Sequence, residues 1–155
     1  MKNKITLVIA FAMTFFISTD VFAQLVTSGA DDGSDGTLRN EIADTPTGGT
    51  ITFAPAVTTV TLMSELTIDK NLIINGTSVT IDANNTGRVF NITAGIVELN
   101  NLTITNGLET DGGGIYITNA TVTINDCVIT QNVANGSSGS GGGIFNATGG
   151  VLIVN

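Results

Sequence analysis

The residues with the most chemistry to offer are carboxylates. Asp31, Asp32 and Asp35 fall in a glycine-containing loop, DDGSDG, and hard oxygen donors grouped this way could hold Ca²⁺. The loop lacks the full D-x-D-x-D-G spacing and the distant bidentate glutamate of an EF-hand, so as metal candidates the three are weak. Asx turns and a helix start, where the dipole favours negative charge, account for the same aspartates. Apart from this Ca²⁺ candidacy no cofactor is expected. A second set comprises Glu98, Glu109 and Asp111, with Arg88 placed to approach Asp111 if the chain coils regularly. These acids are scattered in phase, however, so no catalytic residue is assigned. Cys127 is the only cysteine and the chain has no histidine, which leaves the thiol without a disulfide partner or a base. Its position matches Leu102, pointing inward.

The groups that must position such residues are written in a repeat. VELNNLTITNG is followed by GGGIYITNATVTINDCVITQN and then GGGIFNATGGVLIVN. In register, Val97, Val122 and Leu152 correspond, as do Leu99, Ile124 and Val154, and Asn100, Asn125 and Asn155. A period of this size with nothing helical inside it specifies a solenoid, in which each coil buries its apolar face only against neighbours. From Ile51 onward the chain is a series of short runs rich in Thr, Val and Ile, separated by Gly, Asn, Asp or Ala, giving about three strands and three turns per coil. Alternation turns Val122 and Ile124 inward and Thr121 and Thr123 outward. Stacking at about 4.8 Å then makes apolar columns, and it predicts a ladder of amide hydrogen bonds along Asn100, Asn125 and Asn155. Gly112 to Gly114 and Gly141 to Gly143 stand where each coil turns sharply. The insertion NGSSGS before the second triplet is expected to form a surface loop.

Residues 1–23 read as a signal peptide: Lys2 and Lys4, an apolar run from Ile5 to Ile17, and a small-residue cleavage pattern at Val21-Phe22-Ala23. The run is too short for a bilayer-spanning helix, so no membrane span is expected in the mature segment. Losing two lysines and one aspartate with the leader takes the formal charge from −8 to −9, with Arg39, Lys70 and Arg88 as the remaining cations. Nucleic acid is excluded as a partner, because phosphate binding needs clustered Lys or Arg. Residues 24–50 are expected to form an N-terminal cap. Leu38 and Ile42 lie on one face of a short helix over Thr37 to Asp44, with Asp35 or Thr37 as its N-cap. Residues 51–155 form the coils, and the last residue falls inside a strand, so a longer protein is expected.

TLRNEI followed by GGTITFAP, then ELTIDKNLIING, GRVFNIT, LTITNG and GGGIYITNATVTINDCVITQN, resembles the secreted right-handed parallel β-helix surface proteins of bacteria, a pectate-lyase-like group that includes relatives of the polymorphic outer-membrane proteins. Their GGAI-like motif stands here as GGGIY and GGGIF, without the F-x-x-N at the family's spacing. The resemblance implies an all-β, right-handed parallel β-helix exported to the cell surface or outer membrane. It also implies adhesion or interaction with surface glycans or with host or cell-surface proteins. The same architecture serves polysaccharide lyases and hydrolases acting on acidic glycans, and spacers within larger surface proteins, and both stand as alternatives.

Overall fold

The computed structural model describes residues 23–155, so all of the expected signal peptide but Ala23 lies outside the described residues. In chain order the elements are β1 (Ala23–Val26), α1 (Leu38–Asp44), β2 (Gly49–Phe53), β3 (Thr59–Thr61), β4 (Leu66–Ile68), β5 (Leu72–Asp82), β6 (Phe90–Ile92), β7 (Gly95–Thr105), β8 (Leu108–Glu109), β9 (Ile115–Ile117), β10 (Ala120–Asn125), β11 (Val128–Thr130), β12 (Val133–Ala134), β13 (Ile144–Asn146) and β14 (Val151–Val154). Every named strand pairing is parallel. The long sheet runs β1-β2-β5-β7-β10-β14, with β3 on β5 and β11 on β7; a second runs β13-β9-β6-β4, and β8 pairs with β12. The described residues therefore form a parallel β-solenoid of about five turns with one short helix among them.

The register is that of the repeat. Val97 pairs with Val122 and Val122 with Leu152, while Leu99, Ile124 and Val154 form the next column. Alternation within each strand sends one set of side chains to the axis, where Ile51, Ile74 and Leu99 stack on one wall and Leu66, Phe90 and Ile115 on another, all essentially buried. Cys127 packs half-buried against this core, and desolvation raises its thiol pKa above the ordinary value.

The sequence left β1 unassigned: Ala23–Val26 pairs with β2 and extends the long sheet by one strand. Helix α1 starts at Leu38 with Thr37 as N-cap, its hydroxyl accepting from the Asn40 amide at 3.3 Å. Leu38 and Ile42 turn into the core. Arg39 bonds the carbonyls of Ser64 and Glu65, and Lys70 bonds those of Ala43 and Thr45. These four bonds tie the helix to the segments on either side of β4, beside the outer edge of the second sheet.

Glu41 closes the helix start, its carboxylate accepting the Gly36 N–H at 3.1 Å in a buried position. Desolvation, with the nearby charges of Asp35 and Asp44, raises its pKa above the usual 4.5 although the Gly36 bond opposes this. A raised carboxyl pKa means the native state holds the proton more tightly. The charged form then costs stability, which falls as pH rises from about 4.5 through the folded value. Glu41→Gln keeps an acceptor for Gly36 and removes the charge. Thermal unfolding should show it matching wild type at acidic pH and at least as stable at pH 7, with a flatter profile between. A variant as much weaker at pH 7 as at pH 4 would contradict this.

The glycine triplets sit at matched corners, Gly112 at φ +60° and Gly141 at φ +64°. A Cβ on Gly112 would also lie 2.6 Å from the Ile115 carbonyl oxygen and 3.0 Å from the Phe145 Cβ. Gly112→Ala should cost about 2 kcal/mol, combining left-handed strain with that clash, as read from urea denaturation.

Candidate functional site

The outward face of the second sheet carries the densest set of interacting polar and aromatic side chains. Thr67, Asn91, Tyr116 and Phe145 occupy successive places in one register column. They face outward because their neighbours in sequence, Leu66, Phe90, Ile115 and Ile144, face the axis. Tyr116 and Phe145 stack with centroids 5.5 Å apart and planes tilted by 30°. The Arg88 guanidinium lies over the Tyr116 ring at 4.8 Å.

Charged groups extend this column downward. Arg88 pairs with Glu65 of the preceding coil at 2.6 Å, and Asn91 donates to the other Glu65 oxygen at 3.0 Å. The backbone carbonyl of Glu65 accepts from Arg39, which forms a bidentate pair with Asp31 at 2.8 and 2.7 Å. From Asp31 to Phe145, one hydrogen-bonded and stacked line thus crosses the successive coils.

Asp31, Asp32 and Asp35 are not brought together. Asp31 is buried, spending one oxygen on Arg39 Nε and the other on Arg39 Nη2 and the Met63 amide. Asp32 accepts from the Ser34 amide and hydroxyl in a local turn, and those bonds hold its carboxyl below the usual range. Asp35 is exposed. Among the described residues no group of three or more His, Cys, Asp or Glu is placed to hold a metal ion.

The second set of acids is likewise dispersed. Arg88 does approach Asp111, but its Nη2 bonds the backbone carbonyl at 2.9 Å while the carboxylate accepts from the Ser140 amide. Glu109 accepts from the amide and hydroxyl of its neighbour Thr110, which lowers its pKa. Glu98 accepts from Asn125. Each of these three acids serves a different turn or corner, and no two of them share a hydrogen-bond partner.

The amides form their own line. Asn100 donates to Asn75 at 2.7 Å, Asn125 to Asn100 at 2.6 Å, and Asn155 to Asn125 at 2.7 Å. Asn75 extends the series one coil below Asn100 and escaped the sequence reading; its signal was LIIN against VELN at the same spacing. Tyr116 and Phe145 escaped it as well, although they follow Ile115 and Ile144 in the two glycine-triplet motifs. Between α1 and β4 lies a cleft of about 360 Å³ lined by Arg39, Ile42, Leu66 and Lys70. Both of its cations donate to backbone carbonyls at its rim. Among the described residues no helix is long and apolar enough to cross a membrane. No family model, curated protein or solved structure matches the chain.

Proposed function

We propose that the chain is the rigid body of an exported surface protein that binds surface glycans or cell-surface proteins through its outer column and loops. The observation that carries this reading is what the cations do. Arg39, Lys70 and Arg88 all direct donors at carbonyls or carboxylates of adjoining elements, tying helix to coil and coil to coil. Chemistry on an acidic glycan needs a base and a charge-neutralising group that meet the substrate, and these groups are committed to the scaffold. Uncharged amides, hydroxyls and rings dominate the Thr67 to Phe145 column instead. Such a surface suits a neutral glycan or a protein, whereas the acidic chain repels polyanions.

Binding of the purified chain to immobilised neutral glycans and to intact cells tests this. Saturable retention is expected, weakened at least about tenfold by Tyr116→Ser, which removes an outward ring and leaves the core intact. No retention on any of these surfaces, or retention unchanged in the variant, would overturn the reading.

A further inference from the structure

We infer that the cleft between α1 and β4 is a binding site for a free α-amino acid with an apolar side chain. Its volume of about 360 Å³ lies within the range of small-molecule sites, and Ile42, Ala43 and Leu66 give it an apolar lining. Arg39, Lys70 and Asp69 line it as well, so charges of both signs meet at one apolar hollow. The site is independent of the Tyr116 and Phe145 rings on the outer column.

The donors of the two cations are not all spent on the scaffold. A guanidinium has five N–H groups, and Arg39 gives Nε and one from Nη2 to Asp31, the other from Nη2 to Ser64, and one from Nη1 to Glu65. An ammonium has three, and Lys70 gives two, to the carbonyls of Ala43 and Thr45. One N–H therefore remains on each cation with no acceptor among the described residues. Asp69 is exposed, and its carboxylate forms no hydrogen bond or ion pair among the described residues. The charge balance then selects the ligand. Asp31 neutralises Arg39, which leaves the cleft with Lys70 and Asp69, one charge of each sign. A simple carboxylate suits the cations but faces Asp69, and a simple amine suits Asp69 but faces Lys70. A zwitterion answers both: its carboxylate accepts the two spare N–H groups, its ammonium donates to Asp69, and its side chain packs on Ile42, Ala43 and Leu66. Having no net charge, it also escapes the repulsion that this acidic chain exerts on anions.

Titration calorimetry of the purified chain with leucine tests the inference, with isocaproate, which lacks the ammonium, and isoamylamine, which lacks the carboxylate, as controls. The expected result is saturable binding of leucine at one site and binding at least about tenfold weaker for either control, the loss of one charge-assisted hydrogen bond. Asp69→Asn removes a charge that no described group of the chain uses, so the fold is kept. It should weaken leucine at least about tenfold while leaving isocaproate binding no weaker than in wild type. That second reading separates loss of the ammonium contact from damage to the cleft. Absence of saturable leucine binding, a control that binds as tightly as leucine, or an Asp69→Asn variant that binds leucine like wild type would each overturn the inference.

Discussion

Replacing Phe90 with alanine will lower the unfolding free energy by about 3–5 kcal/mol. Phe90 is fully buried, with Leu66 below and Ile115 above in the same inward column. Removing the ring forfeits its transfer free energy and leaves a cavity whose walls belong to three coils. Those walls can collapse only by breaking the hydrogen-bonded spacing of the sheet, so little relaxation is available. Because a solenoid couples each repeat to its neighbours, the damage should also reduce cooperativity, seen as a smaller denaturant slope. Tyr116→Ala, one residue beyond Ile115 but on the outer face, serves as the comparison and should cost far less. A Phe90→Ala loss below about 1 kcal/mol would mean that the column is looser than the register implies.

The second large effect comes from one ion pair. Arg39→Ala strands the Asp31 carboxylate, whose side chain is wholly shielded while that of Arg39 is 31% exposed. Asp31 would keep the Met63 amide and lose both guanidinium bonds. Stranding a buried charge costs about 3 kcal/mol, near the low end of the usual range because Arg39 itself is partly in solvent. The same substitution removes the Arg39 bonds to Ser64 and Glu65, loosening α1 from β4. Arg39→Lys should recover little, since a point charge cannot reproduce the two parallel bonds. Asp31→Asn combined with Arg39→Ala should be milder than Arg39→Ala alone, because no buried charge then remains. Urea denaturation reads all three variants. An Arg39→Ala protein within about 0.5 kcal/mol of wild type would place this pair among ordinary surface salt bridges.

These expectations depend on how clearly the architecture is written in the chain. The columns through Val97, Val122 and Leu152 were legible because the repeat preserves both residue type and alternation there. Asn75 was harder to see. The strand after it carries Gly76-Thr77-Ser78 before Val79 where the next coil has Asn101 alone before Leu102, and the structure shows a register shift at that point. The 25-residue step from Asn75 to Asn100 survives this irregularity, so the match of LIIN to VELN held the signal although the residues after it do not align. Strand β1 was obscured by its short length and by the long excursion through DDGSDG and α1 before the chain returns at β2.

The candidate site was less legible than the fold. Asp31 and Arg39 are eight residues apart in sequence, and nothing in their spacing specifies that the DDGSDG loop folds back to bury one against the other. Arg88 and Asp111 were brought close, as coil spacing suggested, but the contact is made to a main-chain carbonyl, which spacing alone does not distinguish from a carboxylate. The Tyr116 and Phe145 stack follows directly from the register once the glycine triplets are aligned, because outward neighbours on adjacent coils must touch.

The most direct test of the account is turnover of acidic polysaccharide. The purified chain is incubated with polygalacturonate in the presence of Ca²⁺, and reducing ends and unsaturated products are followed over time. Because Arg39, Lys70 and Arg88 are committed to holding coils together, the account predicts no product above the protein-free blank. Product formation that is lost in Arg88→Lys, with the fold retained, would contradict it and make the Glu65, Arg88 and Asp111 neighbourhood a catalytic centre.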